Sequence, residues 1–570
     1  MYIKRYKRKN GRIYLAIVHG YRDKNKKPCC KTIKSLGYLD DLQKLYDDPI
    51  AHFEEEIARM EAEQAEKTRK VTFEMSLDEK IDKRTEQKIH IGAAVVLQYL
   101  HHMGVDRFFD NKRSARNCNY DPCRVMELLV TNRICNPASK KSAWEERGSF
   151  PRKCSFELAD VYRSLDYFDH YAKELVKHAN DSIEKKWGKR NLENVYYDVT
   201  NYYFECDPDD EDGLRHDGVS KEHQPKPIVQ MGLMIDSDGI PMSYDVFPGN
   251  TNDCLTMMPV IKNLKREREL ERIIVVADKG LNTSDNIAAC LLDGNGYVFS
   301  QSVRKADASL KRWVLDEAGY DKRDGFKVKS KCADKTVTIR DKQGKVIKKE
   351  EVAVRLVAFW SEDYAKRSAA LRRKAVAKAQ KMVSRRATYE HAKQFGAAKY
   401  VKEAFVDTAT GDMPKSLIQL NQEAIDRDAM LDGYYCLVTS EEDKTPEEII
   451  EIYRGLWRIE ESFRVMKSDF DARPVYVSTE AHIKAHFLIC YLSLVAMRLM
   501  QKDTKNKHSA KEIAKAIAEM QGVHLKENYY LFSYRTDLTD KLAKACKMDL
   551  ANKLYSKKDI ANIVAGIKKS

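Results

Sequence analysis

Residues 194–205 read NVYYDVTNYYFE, a β-branched and aromatic run with Asp198 inside it. Side chains alternate along a strand, so Asp198 shares its face with Thr200 while Val199 points the other way. Two more runs follow in VQMGLMIDSDGIPMSYDVFPGN (229–250), joined at Asp238-Gly239, a dipeptide suited to a tight hairpin turn. Helical spacing covers Asp253 to Glu269. RIIVVADKG (272–280) is then a short buried strand ending on Asp278 beside Gly280. A helix from about Ser284 to Leu292 and a fifth strand, GYVFSQ (296–301), complete the series. Three strands, a helix, a strand, a helix and a strand predict an α/β sheet. Asp278 lies at a strand's carboxyl end, where such sheets carry functional groups.

A third carboxylate belongs to YRGLWRIEESFRVMK (453–467). Read as one helix, Tyr453, Glu460 and Lys467 are spaced by nearly two turns each and project from one face, flanked by Trp457 and Arg464. Glu460 and Arg464 alone would make an ordinary surface pair. Three carboxylates in one fold, Asp198, Asp278 and Glu460, instead suit hard divalent cations such as Mg²⁺. Two such ions about 4 Å apart support in-line phosphodiester displacement, and the basic neighbours suit a phosphate backbone.

Composition agrees with that chemistry. The 570-residue chain is 43% hydrophobic and 33% charged, which argues against disorder, and its net charge of +14 favours a polyanionic partner. The apolar run FLICYLSLVAM (487–497) is too short to span a bilayer, and MYIKRYKRKN lacks the apolar stretch of a secretory signal. No membrane association and a cytoplasmic location are expected. Thirteen scattered cysteines do not suit a disulfide framework. Cys118 and Cys123 lack zinc-knuckle spacing, and His482 and His486 have helical zinc spacing without an evident third ligand.

The expected organisation begins with a β-hairpin and helix (1–75), turning at Asn10-Gly11 and a candidate for DNA binding. A helical region (76–190) follows, then the first part of the α/β core (191–302). A mainly β insertion (303–441) carries a basic helix from about Asp363 to Lys393. The core resumes with the Glu460 helix (442–503), and 504–570 is helical. Gly249-Asn250 is expected to form a turn.

Taken together, these blocks resemble the ribonuclease H-like core of DDE transposases. YRGLWRIEESFRVMK is similar to the Tyr-Arg-Glu-Lys (YREK) signature of bacterial insertion-sequence transposases. YYDVTNYYFE (196–205) and VVADKGLNTSDN (275–286) match that family's first and second Asp blocks, and SLGYLDD (35–41) fits one branch of it. The resemblance spans most of Asn191 to Met500. It implies a catalytic, metal-binding triad of Asp198, Asp278 and Glu460 holding two Mg²⁺ ions, with Mn²⁺ as a substitute. It also implies DNA contacts from Tyr453 and Lys467, with Trp457 helping to hold an extruded base. The partners implied are double-stranded DNA, as terminal inverted repeats and target, and a second copy of the chain in a synaptic homodimer. The activity implied is cut-and-paste transposition: cleavage at the element ends and joining of 3′-hydroxyls to target DNA.

This chain departs from the signature in two places. Leu456 stands where an Arg is expected, and Thr283 where an aromatic is common. Arg454 and Arg458 point away from the Glu460 face of a continuous helix, so Arg464 is expected to supply the cation. The alternatives are a nuclease of the same fold without strand transfer and a domesticated DNA-binding protein. The insertion counts against the first and the intact triad against the second.

Overall fold

The computed structural model describes the chain except residues 9, 23–27, 69–70, 79, 81–87, 114–118, 206–212, 219–225, 341–344, 385–395, 407–414 and 568–570. Two compact units result, Met1–Thr85 and Glu86–Ser570.

In the first unit β1 (Tyr2–Lys7), β2 (Ile13–Arg22) and β3 (Pro28–Tyr38) form an antiparallel sheet in that order. The expected hairpin turn is present: Gly11 takes φ +78°, and Asn10 Oδ1 accepts from the Arg12 amide at 3.1 Å. The helix Pro49–Thr68 and a small core of Leu15, Leu42 and Phe53 complete this unit.

The second unit opens with β4 (Lys88–His90), which joins a four-stranded sheet with Gln521–His524, Tyr529–Phe532 and Leu554–Ser556. The C-terminal region is therefore not helical throughout as expected. Strands of three or four residues carry too little periodicity to be read in advance.

The main sheet is built from β5 (Asn194–Tyr203), β6 (Ile228–Ile235), β7 (Pro241–Pro248), β8 (Ile274–Ala277) and β9 (Gly296–Gln301). Four strands from the 303–441 stretch extend it: β10 (Asp321–Arg323), β11 (Phe326–Arg340), β12 (Val346–Ser361) and β15 (Tyr434–Thr439). The order is β10-β11-β12-β15-β9-β8-β5-β6-β7. β8 runs parallel to both β5 and β9, and the other pairings are antiparallel. The order β7-β6-β5-β8-β9 makes this the mixed sheet of a ribonuclease H-like α/β core.

The 303–441 stretch thus divides in two. Its long ribbon continues the core sheet. The strands β13 (Val401–Val406) and β14 (Lys415–Leu420) form a separate pair, and the basic helix Glu362–Ser384 contributes to a small cluster with Ala379, Met382, Tyr400 and Ile425. The remainder of the helix expected to reach Lys393 lies outside the described residues.

The period of two in β5 assigns its faces. Tyr196 and Tyr202 join the larger core, shared with the helices Leu158–Trp187 and Glu480–Asp503. Val195, Tyr197 and Val199 join the opposite core, with Met257–Arg268 and Ser284–Leu292. The Glu480–Asp503 helix is longer than the apolar run suggested and passes a length-and-hydropathy test for membrane spans. Its most apolar window is nevertheless 94% buried inside the protein, as suits a core helix.

Candidate active site

Register brings the two aspartates together. Asn194 pairs beside Ile274, Val195 beside Val275 and Tyr196 beside Val276 in the parallel β5/β8 ladder. Continued two residues, this offset sets Asp198 level with Asp278, just past the end of β8. Ile274 and Val276 pack in the same core as Tyr196, so alternation turns both aspartates toward that face. Asp198 Oδ1 also accepts the Val199 amide at 2.8 Å.

The third carboxylate arrives on a helix that is not continuous. Pro446–Arg454 ends at a turn through Gly455 and Leu456, Trp457–Arg464 follows, and Val465–Asp469 is a single π-helical stretch. The break has a cause on β5. The Tyr196 hydroxyl donates to the Ile452 carbonyl at 3.1 Å, and a Cβ on Gly455 would lie 2.1 Å from that hydroxyl. Only glycine lets the phenol dock there. The expectation of one regular helix is corrected accordingly: Tyr453, Glu460 and Lys467 stand on successive helical pieces, of which the first two both bring a side chain to Asp278.

The pieces still reach the aspartates. The Tyr453 hydroxyl donates to Asp278 Oδ1 at 3.4 Å. Burial, and then the neighbouring Tyr435, push the Tyr453 phenol well above its ordinary pKa, so it stays a neutral donor. Glu460 lies at the surface, and its carboxyl is held above the usual glutamate range by partial desolvation and then by the charge of Asp278.

The cations divide differently from expectation. Arg464 is 60% exposed and lies 3.5 Å from Glu461, which also pairs with Arg498. Arg454 pairs with Glu451, and Arg458 packs on Gly239 of the β6–β7 turn. Lys467 Nζ lies 5.3 Å from the ring of Tyr202, which shares the face of Asp198. Trp457 is 56% exposed at a cavity of about 520 Å³ bordered by Asp238, Arg458, Arg498, Lys502 and Lys507.

Support for the π-helical stretch comes from outside it. Arg133, on the Pro122–Cys135 helix, donates to the carbonyls of Phe470 (3.0 Å) and Asp471 (3.2 Å). Buried Lys140 donates to His486 Nδ1 at 2.8 Å, leaving His486 Nε2–H to donate to the Ala472 carbonyl at 3.0 Å. His486 is thus a clamp, and His482 lies 3.3 Å from Asp166. Gly249 forms the expected turn, its carbonyl and that of Thr251 accepting from Gln230.

Among the described residues, no three His, Cys, Asp or Glu side chains stand close enough to hold an ion as they are. The donor chemistry nonetheless fits one. The charge of Asp278 raises the cost of ionising Glu460, Asp198 is level with Asp278, and all three offer the hard oxygens that divalent cations prefer.

Local sequence did not point to Tyr196, Tyr435 or the Arg133–Lys140–His486 clamp. The contacts of Tyr196, Arg133 and Lys140 join positions more than two hundred and fifty residues apart, and Tyr435 meets Tyr453 only through the folding of the sheet.

Comparison with known families adds two findings. A family model described as "IS1634 family transposase, N-terminal domain" matches residues 3–71, and one described as "Transposase DDE domain" matches residues 210–496. Asp278 and Glu460 fall inside the second match, and Asp198 just before it. No curated protein matches the chain. With half its length covered by the catalytic-domain family and its start by the insertion-sequence branch, the chain belongs to the DDE transposases of insertion sequences.

Proposed function

We propose that Asp198, Asp278 and Glu460 are the catalytic carboxylates and that they hold a pair of Mg²⁺ ions. The supporting observation is the β5/β8 register, which aligns the two aspartates, together with the charge coupling of Asp278 to Glu460. When bound, the ions supply Lewis-acid activation of the attacking oxygen and stabilisation of the leaving one. The chain's own groups do the rest. Neutral Tyr453 holds Asp278 by its hydroxyl, which engages one of the two carboxylate oxygens. Lys467 takes a backbone phosphate near the cleaved bond. Trp457, exposed at the rim of its cavity, stacks on an unpaired base at the element end.

In this reading a water cuts the phosphodiester and frees a 3′-hydroxyl at each terminal inverted repeat. The two 3′-hydroxyls then attack target DNA, joining element to target. One protomer serves each end, which calls for a homodimer in the synaptic complex, with DNA reached in the cytoplasm.

The test is cleavage of duplexes carrying the terminal repeat, with Mg²⁺, by Asp198→Ala, Asp278→Ala and Glu460→Ala. Each variant should bind DNA and melt as a folded protein, yet fail to cut. A variant that cuts normally removes its residue from the triad.

A further inference from the structure

Positive charge on the Glu460 side of the groove is mostly engaged elsewhere. Arg454 pairs with Glu451 and Arg464 with Glu461, while Arg458 packs on Gly239. A further basic element, the helix Glu362–Ser384, approaches the carboxylates through its first turn. This helix leaves β12 directly, three residues beyond Phe359, which pairs with Tyr435 of β15.

A line of aromatic rings leads from that helix to the carboxylates. Tyr364 meets Tyr435 edge-on, with ring centroids 5.0 Å apart, and Tyr435 meets Tyr453 at 5.9 Å. Tyr453 in turn reaches Asp278. Tyr364 is 38% exposed, so the line ends at solvent. Arg367 follows Tyr364 by three residues, which puts both on one side of the helix. Arg367 is exposed. Its neighbours Lys366 and Arg372 pair with Glu362 and Asp432, whereas Arg367 has no carboxylate partner among the described residues. The charges of Arg367 and Glu460 both act on the Tyr364 phenol, which puts all three in one electrostatic neighbourhood.

We propose that Tyr364 and Arg367 form the second lip of the catalytic groove and grip the DNA strand being cut. Arg367 takes the phosphate next to the cleaved one, and Tyr364 packs on the adjoining sugar. A guanidinium fork matches two phosphate oxygens and stays charged at every working pH. The lip is carried by the insertion rather than by the Glu460 helix, so DNA is held from both sides of the carboxylates. This rests on Asp198, Asp278 and Glu460 being the catalytic site.

The experiment uses the full chain, Mg²⁺ and duplexes of the terminal repeat, each with one backbone phosphate near the cleavage point replaced by uncharged methylphosphonate. Arg367→Ala should raise KM for the unmodified duplex about tenfold, in the range of one charge-assisted contact, with a smaller change in kcat. One methylphosphonate position that weakens the wild-type protein by the same factor should have no further effect on Arg367→Ala. Arg367→Lys should recover part of the loss, and Tyr364→Phe should keep most of the affinity that Tyr364→Ala loses. An unchanged KM and a methylphosphonate profile identical to wild type would overturn the lip. Asp278→Ala separates the two ideas: if it still cuts, the underlying site is wrong, whereas an inactive Asp278→Ala beside a wild-type-like Arg367→Ala rejects the lip alone.

Discussion

The two halves of the carboxylate site are held by different means. Asp198 lies within β5, paired with Leu233 of β6, and Asp278 directly follows β8, the strand beside β5 in the interior of a nine-stranded sheet. Glu460 stands on an eight-residue helix with a glycine break before it and a π-helical stretch after it. A helix so short has little stability of its own. Side chains from elsewhere fix it: Tyr196 at the break, Arg498 through Glu461, and the Arg133 and Lys140–His486 clamp just beyond Lys467. The strands make a floor that is rigid by construction, while the helix is placed by its neighbours. π-helical insertions of this kind often accompany functional sites.

The largest expected effect tests the floor against the helix directly. Asp278→Ala and Glu460→Gln should each lower Mg²⁺-dependent cleavage by at least about 100-fold. Their effects on the metal-free protein should differ. Glu460→Gln removes a carboxylate crowded by Asp278, so its melting temperature without metal should match or exceed wild type. Added Mg²⁺ should raise the melting temperature of the wild type and not of Glu460→Gln. Equal Mg²⁺ stabilisation of both would separate Glu460 from the metal.

Next comes the clamp. Burial first, and then Arg133, bring the Lys140 pKa down to about 7 from 10.5. A base whose folded pKa lies below its unfolded value opposes folding while it is protonated in the unfolded chain. Stability therefore rises with pH from about 7 toward 10.5, by about 5 kcal/mol at the linkage limit. Lys140→Met should flatten that rise in urea midpoints measured across the interval. A slope equal to wild type would show that Lys140 is charged inside the fold.

The break gives a smaller effect. Gly455→Ala drives a methyl into the Tyr196 hydroxyl and should cost about 1–3 kcal/mol, the range for overpacking. Tyr196→Phe in the same chain should recover part of it, since the clashing oxygen is gone. No recovery in the double variant would mean that the helix breaks for another reason.

Smallest of all is Arg464→Ala. An exposed pair such as Arg464–Glu461 contributes within about 1 kcal/mol. End binding and cleavage should stay close to wild type, against the expectation drawn from helix periodicity. A loss as large as that of Glu460→Gln would restore Arg464 to the groove.

The same contrast explains what could be read from the residues alone. Strand alternation and a carboxylate at a strand's end are local signals, so Asp198 and Asp278 stood out beside the runs that became β5 and β8. Glu460 was recognisable by its basic and aromatic setting, but its neighbours' directions were not. A lone glycine in a helical pattern is ordinarily tolerated, and what turns Gly455 into a break is a phenol from a strand more than two hundred and fifty positions earlier. Helical arithmetic singles out Arg464 because it compares only the arginines of one segment, Arg454, Arg458 and Arg464. Tyr364 and Arg367 belong to a helix whose basic composition suits a phosphate backbone as well as a solvated face, and only the β12–β15 pairing carries it beside Tyr453.

The shared ladder between β15 and β9 also bears on how such a gene can be shortened. A stretch that reads as an insert invites excision, since loops at a domain's surface can often be trimmed. Here a cut from 303 to 441 would remove β10, β11, β12 and β15, leaving β9 as a bare sheet edge and stripping away the tyrosine that backs Tyr453. Natural variation in length should accordingly gather at the ribbon's tip and around the β13–β14 pair, where residues can be gained or lost without unzipping the catalytic sheet.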